Sequence, residues 1–149
     1  FEISENLIEM DYGSWSGRKL NDLRRLSSWK IVQKSPSTFT FPNGESFKSL
    51  RRRIDNLLSD VTNTKGPLLF VSHGDVIKMA LAKVAGIKID NFQKFVVEPG
   101  SISIISVEPH SSSILASNSL TARSIGKQWI PSQLGGGDFL KRSRLFRKI

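Results

Sequence analysis

A short motif, Ser72-His73-Gly74-Asp75, follows a continuous apolar run and precedes an amphipathic pattern. This order predicts a histidine at the C-terminal end of a strand and directly before a helix, the edge at which open α/β sheets bind ligands. Free N–H groups and the positive dipole end of a helix suit an anion, phosphate above all. His73 can add a hydrogen-bond donor, and Gly74 lets a ligand approach the backbone. The alternative is a histidine that is satisfied by local hydrogen bonds and binds no ligand.

The second candidate is an acidic residue, Glu9, in the glycine-punctuated segment 7–17. A carboxyl group that is buried enough to hold its proton can act as a general acid toward a leaving oxygen. The alternative is an exposed loop acid with no chemical role. The sequence contains no G-x-S-x-G motif and no Walker A motif, so it offers no serine nucleophile of that kind and no P-loop.

The elements around the histidine alternate between helix and strand patterns. Residues 67–71 form a short apolar run that is typical of a fully buried parallel strand. Residues 76–84 then follow as an amphipathic helix that Gly86 ends. Upstream, apolar residues at helical spacing over 47–61 predict a surface helix with Ser46 as its N-cap. Helix, strand and helix in this order indicate an α/β fold.

Two further elements complete the pattern. Leucines at helical spacing from Leu20 onward, with Trp29, predict one more helix that stops before Pro36. Apolar residues 102–107 and 114–116 flank a turn and predict a β-hairpin, which makes the expected sheet mixed rather than wholly parallel.

The composition describes one globular domain. The chain has 149 residues, 38% of them hydrophobic, with two histidines and no cysteine. The lack of cysteine excludes a disulfide scaffold, a cysteine nucleophile and a thiolate metal site, and we expect no metal cofactor. No apolar run approaches the ~18 residues of a membrane span, and no secretory signal opens the chain. We therefore expect a cytoplasmic protein.

Basic charge is concentrated at the C-terminus. The net charge of the chain is +9, and residues 119–149 carry +6 of it. This segment also contains the glycine run 135–137, which favours a flexible tail. We expect a folded domain over residues 1–118 and a basic tail over 119–149, which could contact an anionic partner or simply be a solvated terminus.

Three motifs in this order resemble the histidine phosphatase superfamily, which has the phosphoglycerate-mutase-like fold. They are Leu7-x-Glu9-x-x-x-Gly13-x-Trp15-x-Gly17, Pro42-x-Gly44-Glu45-Ser46 and Val71-Ser72-His73-Gly74. The resemblance implies a three-layer α/β/α sandwich around a mostly parallel, mixed sheet. It also implies a metal-free phosphomonoesterase for small molecules that works through a phosphohistidine intermediate.

The resemblance assigns roles to individual residues. His73 corresponds to a histidine that helps to bind the transferring phosphoryl group, and Glu9 to the carboxyl group that protonates the departing oxygen. Both roles suit phosphoryl transfer, in which the negative charge needs stabilisation and the alkoxide needs a proton. Glu45 and Ser46 are expected to serve the start of the following helix. The predicted substrate-site neighbours are Gly74, Tyr12, Trp15 and Arg18, and for Trp15 core packing is an equal alternative.

The chain also departs from the family pattern. The nucleophilic histidine of the family lies in an Arg-His-Gly motif on the first, central strand, and a second phosphate-binding arginine follows it; neither motif occurs here. His110, the only other histidine, falls in the predicted hairpin turn. The chain therefore resembles the C-terminal two-thirds of a histidine phosphatase without its N-terminal strands, beginning at Phe1 rather than at Met. We expect no phosphatase turnover from these residues alone.

Three alternative functions stay open. A phosphoglycerate mutase is disfavoured because Leu20 stands where mutases carry a substrate-binding lysine and because the segment between Gly17 and Gly44 is short. A non-catalytic module could bind a phosphorylated ligand through His73. A tail-driven binder of nucleic acid or membrane surfaces would lose affinity without residues 119–149 and at high salt. The oligomeric state is open, with a homodimer as one alternative.

Overall fold

The computed structural model describes residues 2–62, 64 and 66–120. No helix in this part of the chain is long and apolar enough to cross a membrane. Four short 3-10 turns connect the regular elements, at Glu5–Leu7, Gly13–Trp15, Pro36–Thr38 and Ile89–Lys94. The helices are α1 (Leu20–Leu23), α2 (Ser27–Lys34), α3 (Phe47–Thr62) and α4 (Gly74–Val84), and the strands are β1 (Ile102–Val107) and β2 (Ser112–Ser119).

Helices α3 and α4 pack against each other and form the centre of the hydrophobic core. The apolar stripe predicted over 47–61 faces inward, because Leu50 and Ile54 of α3 are completely buried. Met79 and Ala82 of α4 are likewise completely buried. Phe92 closes the core from the last 3-10 turn, with its ring 5.3 Å from that of Phe47. Each fully buried side chain of this size contributes about 1.5–3 kcal/mol to folding.

The predicted start of α3 at Ser46 and the predicted end of α4 at Gly86 are confirmed. Ser46 Oγ accepts a hydrogen bond from the Ser49 N–H at 3.1 Å, so it satisfies one of the free amides at the start of α3. Helix α4 ends just before Gly86, which has a φ of 68°. In that conformation the Gly86 N–H reaches the carbonyl of Lys83 and the next amide, of Ile87, reaches the carbonyl of Ala82.

The predicted hairpin is also confirmed. Strands β1 and β2 pair antiparallel, with Ile105 opposite Ile114 and Val107 opposite Ser112. Side chains of β1, among them Ile105 and Val107, pack against the core. The register shifts near Ile104, which marks a bulge in the pairing.

The single helix predicted from Leu20 to a stop before Pro36 is wrong in its continuity, because the chain forms two short helices, the second of which ends at Lys34. Helix α1 ends at Leu23, and α2 begins at Ser27 after Leu26 adopts an extended backbone. Serines favour helix starts over helix interiors, since their side chains compete for backbone hydrogen bonds. The break still leaves Leu23 buried and Leu26 and Trp29 packed against the core.

The buried parallel strand predicted over residues 67–71 is not observed. This segment belongs to no helix or strand, and Leu69 and Val71 are 88% and 86% exposed. A parallel strand needs backbone hydrogen bonds to a neighbouring strand, and the sheets that contain such strands are covered on both faces. The only sheet in the described residues is the two-stranded antiparallel hairpin. The chain is therefore α/β, and the three-layer, mostly parallel sheet stays a prediction.

The predicted basic tail falls almost entirely outside the described residues. Strand β2 ends at Ser119, and residues 121–149 carry all the charged groups assigned to the tail. The proposed boundary after residue 118 and the binding role of the tail therefore stay predictions.

Candidate functional site

His73 lies at the N-terminus of α4, as the sequence predicts. It is the residue directly before the helix, with an extended backbone and an exposed side chain. Its carbonyl accepts the first intrahelical hydrogen bond, from the Ile77 N–H at 3.0 Å. The amides of Gly74 and the two residues after it have no intrahelical partner, as at every helix N-terminus. The start of α4 thus presents N–H donors and a positive dipole end beside the imidazole.

Glu9 lies in the loop after the first 3-10 turn and is half-buried. Its Oε1 accepts a hydrogen bond from the N–H of Met10 at 2.9 Å. Met10 itself is only 2% exposed, so the backbone at this point is tied into the core. The carboxyl group is therefore held close to its own main chain rather than extended freely into solvent.

Two long-range hydrogen bonds join the segment of Glu9 to the segment of His73. Ser72 Oγ donates to the carbonyl of Leu7 at 2.7 Å, which links the residue before the histidine to a residue just before the acid. Tyr12 Oη donates to Asp75 Oδ2 at 3.0 Å, which links the two segments on their other side. The two candidate residues therefore lie between a pair of direct contacts.

Burial raises the pKa of the Tyr12 phenol above its ordinary value of 10.0, and the carboxylates of Asp75 and Glu9 raise it further. Tyr12 therefore stays protonated and keeps donating to Asp75. The other carboxylate oxygen of Asp75 accepts from Gln93 Nε2 at 3.2 Å, and Gln93 Oε1 accepts from Lys78 Nζ at 2.9 Å. Through this network Asp75 connects the loop of Tyr12 with α4 and the last 3-10 turn.

Two glycines bring the first and second sequence motifs into contact. Gly13 has a φ of 50°, and a Cβ atom placed there would meet the carbonyl oxygen of Pro42 and lie 2.6 Å from the amide of Gly44. The neighbouring Ser14 N–H donates to that same Pro42 carbonyl at 2.8 Å. This close approach fixes the loop that continues from Glu9, and it requires residues without side chains.

Trp15 and Arg18 differ in their surroundings. Trp15 is 7% exposed, and its ring packs against those of Trp29, Phe39 and Phe41 at centroid distances of 5.2–6.2 Å. Burial favours the core-packing alternative for Trp15 over substrate contact. Arg18 is exposed on the loop that follows.

The second histidine lies far along the chain from this site. His110 is in the turn between β1 and β2, as predicted, and lines a groove of about 410 Å³ near the C-terminal end of α4. Lys83 in the same groove pairs with Asp55 at 2.8 Å, and Asp55 also pairs with Arg51 at 3.3 Å. Neither Glu9 nor His73 lines this groove. His110 is thus not placed to act with His73.

Within the described part of the chain, no group of three or more histidine, aspartate, glutamate or cysteine side chains is arranged to hold a metal ion. The polar groups around Glu9 and His73 include the Tyr12 phenol, the Ser72 hydroxyl and the Asp75 carboxylate. Because the phenol and the hydroxyl already donate within the protein, the donors suited to a phosphoryl group are the imidazole and the amides at the start of α4.

The sequence did not assign roles to several residues that hold the site together. Asp75 stands next to the His73-Gly74 pair, and that adjacency was the one signal available for it. Arg53, eight residues beyond Glu45, gave no signal, although their side chains form an ion pair. The expectation for Glu45 is therefore wrong in its detail, since its carboxylate binds Arg53 rather than the start of α3.

Solved structures of other proteins resemble the chain, and three of them illustrate the degree of similarity. An α-ribazole phosphatase from Shigella flexneri has a TM-score of 0.67 at 24% identity, over 80% of this chain and 61% of that one. Bacillus stearothermophilus YhfR has 0.70 at 20%, over 79% and 61%. A mutant phosphoserine phosphatase from Entamoeba histolytica, in complex with phosphoserine, has 0.69 at 21%, over 79% and 61%. At these identities the likeness shows a shared fold, and the chain spans about three-fifths of each structure.

Sequence comparison adds the family. No curated protein sequence matches the chain significantly. The model of the histidine phosphatase superfamily, branch 1, matches residues 1–120, which include both candidate residues and all three motifs. The fold, the order of the motifs and this match agree, and the chain belongs to the histidine phosphatase superfamily.

Proposed function

We propose that the chain forms the acid-donating and phosphate-binding part of a phosphomonoesterase for small molecules. In this proposal His73 and the N-terminus of α4 bind the transferring phosphoryl group. Glu9 gives its proton to the oxygen of the departing alcohol. The phosphoryl group is accepted by a histidine outside these 149 residues, and water then hydrolyses the phosphohistidine.

The pair of hydrogen bonds that join the two segments carries this proposal. The hydrogen bonds from Ser72 Oγ to the Leu7 carbonyl and from Tyr12 to Asp75 hold the loop of Glu9 next to the start of α4. Tyr12 and Asp75 are 63 residues apart along the chain. A general acid must lie within hydrogen-bond reach of the leaving oxygen while the phosphoryl group is bound. The contacts beside Glu9 and beside His73 support such an arrangement.

The electrostatics of the site support the same roles, phosphate binding by His73 and proton donation by Glu9. Phosphoryl transfer needs stabilisation of negative charge spread over three oxygens. The free amides of α4 and the imidazole of His73 provide donors at one point. The half-buried Glu9 lies beside the protonated Tyr12, whose phenol adds no charge to the site.

The exposed segment 67–71 fits a protein that contains more strands than the described residues form. Four large apolar side chains in a row, Leu68, Leu69, Phe70 and Val71, are between 42% and 88% exposed. We infer that this segment becomes an inner strand of a three-layer, mostly parallel sheet when the nucleophile-bearing part is present. The short segment between Gly17 and Gly44 and the Leu20 side chain favour a phosphatase over a mutase.

Phosphate binding tests the proposal directly on the 149-residue chain. Titration with inorganic phosphate, followed by amide NMR, should shift the resonances of Gly74 and Asp75 at the start of α4. The His73→Ala variant should bind phosphate about 10-fold more weakly, because it loses a donor to a charged ligand. Turnover of para-nitrophenyl phosphate by the chain should be undetectable.

The chain offers a matched control in its other histidine. His110→Ala removes an imidazole of the same kind from the hairpin turn and should leave phosphate affinity unchanged. Equal affinities for the His73→Ala variant and the unaltered chain would contradict the phosphate site. Turnover by the chain that His73→Ala abolishes would instead contradict the need for an external nucleophile.

A second candidate function follows from the absence of an Arg-His-Gly motif in the sequence. The same site could bind a phosphorylated ligand without catalysis. The Glu9→Gln variant distinguishes the two functions. In a phosphatase it should abolish hydrolysis of alkyl phosphates by the protein as its gene encodes it. A binding module would keep its ligand affinity and show no hydrolysis to lose.

A further inference from the structure

Arg53, on the inner side of α3, makes an unusually complete set of hydrogen bonds. Its Nε donates to Glu45 Oε1 and its Nη2 donates to Glu45 Oε2, both at 2.9 Å. This is a two-point ion pair between side chains that are only 19% and 14% exposed. Planar guanidinium and carboxylate groups match in this geometry, which a lysine cannot reproduce.

The third nitrogen of Arg53 holds the loop that leads to Glu9. Nη1 lies within hydrogen-bond distance of three carbonyl oxygens, those of Glu5 at 3.2 Å, Asn6 at 3.1 Å and Ile8 at 3.1 Å. These carbonyls lie in and directly after the first 3-10 turn, and that of Glu5 also accepts the Ile8 N–H at 3.4 Å. Ile8 is the residue directly before Glu9.

The other member of the pair holds the chain on the far side of Glu9. The Glu45 N–H donates to the carbonyl of Asp11 at 2.8 Å. Arg53 thus holds residue 8 with its side chain, Glu45 holds residue 11 with its backbone N–H, and Glu9 lies between these two contacts. Inside this bracket the Met10 N–H donates to the Glu9 carboxylate, so the direction of the carboxyl group follows the backbone that the pair holds.

We propose that Glu45 and Arg53 are positioning residues that set the orientation of the Glu9 carboxyl group for proton transfer. The inference rests on the proposed function for its catalytic meaning. Because Glu45 neutralises Arg53 at short range, the pair can hold three carbonyls without placing a free positive charge next to the acid. A displacement of about 1 Å in such a group is enough to slow a reaction by as much as ~100-fold.

The orientation of Glu9 can be measured in the 149-residue chain, without turnover. The Met10 amide reports on the carboxylate it donates to, so its NMR shift should differ between the protonated and the ionised Glu9 carboxyl group and is followed as the pH is varied. If the Met10 shift change is lost in the Glu9→Gln variant, the change is assigned to the Glu9 carboxyl group. In Arg53→Met the change should fall by about half or more, because the strength of a hydrogen bond depends steeply on its geometry.

The matched control is Arg51→Met, two residues earlier on the same helix. Arg51 binds Asp55 and the carbonyl of Ile87 and touches nothing in the Glu9 loop, so the Met10 change should be retained in full. Arg53→Lys and Glu45→Gln keep the test valid if Arg53→Met does not fold. A full-size Met10 change in folded Arg53 and Glu45 variants would overturn the proposal.

Kinetics of the protein as its gene encodes it give the second readout. Loss of a positioned general acid slows substrates whose leaving group needs a proton. Arg53→Met should lower kcat by about 10-fold or more for an alkyl phosphate and by less than about 3-fold for para-nitrophenyl phosphate, with KM nearly unchanged. Equal losses on both substrates would indicate a merely structural role and would overturn the inference.

The two proposals fail in different ways. If Glu9→Gln hydrolyses alkyl phosphates at the normal rate, the proposed function is wrong, while the Met10 titration still decides whether the ion pair orients Glu9. If the Arg53 variants leave Met10 and the substrate ratio unchanged while Glu9→Gln is inactive, the function stands and the positioning role is wrong.

Discussion

The loop that carries Glu9 and the segment that carries His73 meet at one site, but the rest of the chain holds them very differently. Every residue from Glu5 to Asp11 except Glu9 and Met10 has its carbonyl bound by another part of the chain or by its own turn, and Met10 is buried. The segment 67–71 belongs to no helix or strand and is exposed. The histidine side is joined to the Glu9 side by the hydrogen bonds of Ser72 to Leu7 and of Asp75 to Tyr12.

This difference shows which half of the site the described residues organise by themselves. The loop that carries Glu9 is held by an ion pair, two close glycines and a buried methionine. The segment leading to His73 has an apolar surface that the described residues do not cover. Catalytic groups need packing around them to hold a productive geometry, and for His73 we expect that packing to come from additional strands.

The largest expected effect is the difference in stability between two leucine variants, one in the core and one in the segment 67–71. Leu50→Ala, at a completely buried position of α3, should lower the free energy of unfolding by about 2–5 kcal/mol through lost burial and a cavity. Leu69→Ala, at a position that is 88% exposed, should change it by less than about 0.5 kcal/mol. Denaturant unfolding of both variants measures this. A large loss for Leu69→Ala would mean that the segment 67–71 is already packed in solution.

Two glycines give the next effect. Gly13→Ala should destabilise the chain by about 2 kcal/mol, because its φ of 50° and the nearby Pro42 carbonyl exclude a Cβ atom. Gly74→Ala meets open space and should be neutral within about 0.5 kcal/mol. Thermal unfolding separates the two. Phosphate affinity should nevertheless fall in Gly74→Ala, since the added methyl group lies where the ligand approaches; unchanged affinity would count against a phosphate at this amide.

The smallest effect concerns the contact between the two halves. Tyr12 is the only tyrosine, so the absorbance of tyrosinate near 295 nm reports on it alone. Because its pKa is raised in the folded state, the stability it contributes is complete below pH 10.0 and is lost as the pH rises above that value. The folded chain should titrate above the unfolded chain, and Asp75→Asn should bring the two midpoints closer. Identical midpoints in the unaltered chain would show that Tyr12 is not buried beside Asp75.

Local patterns predicted most of the elements correctly. The apolar stripe over 47–61, the Ser46 cap and the Gly86 end all depend on contacts within a few residues, and each was confirmed. The strand over 67–71 failed because a strand is a relation between two segments, which an apolar run cannot supply alone. The single helix predicted from Leu20 onward failed for a different reason. Apolar residues at this spacing can pack against the core either as one helix or as the two helices α1 and α2.

The residue types at the candidate site were readable from the sequence, whereas their support was not. Glu9, His73 and Gly74 stood out because acids, imidazoles and glycines beside element ends suit phosphate chemistry. Arg53 did not stand out, since it is one of three consecutive arginines on an amphipathic helix. Only the fold shows that Arg51 and Arg53 point to different partners, because successive helix positions are rotated by about 100°.

The sequence by itself determined the family, the order of its motifs and the chemistry that its side chains can perform, because these depend on residue identity and short spacings. The tertiary structure alone decided that Gly13 meets Gly44, that Tyr12 contacts Asp75, and that the Arg53 side chain and the Glu45 backbone bind the chain on either side of Glu9. Each of these contacts joins residues between about thirty and sixty positions apart. Such contacts depend on how the core packs, and packing is a property of the whole chain rather than of any short part of it.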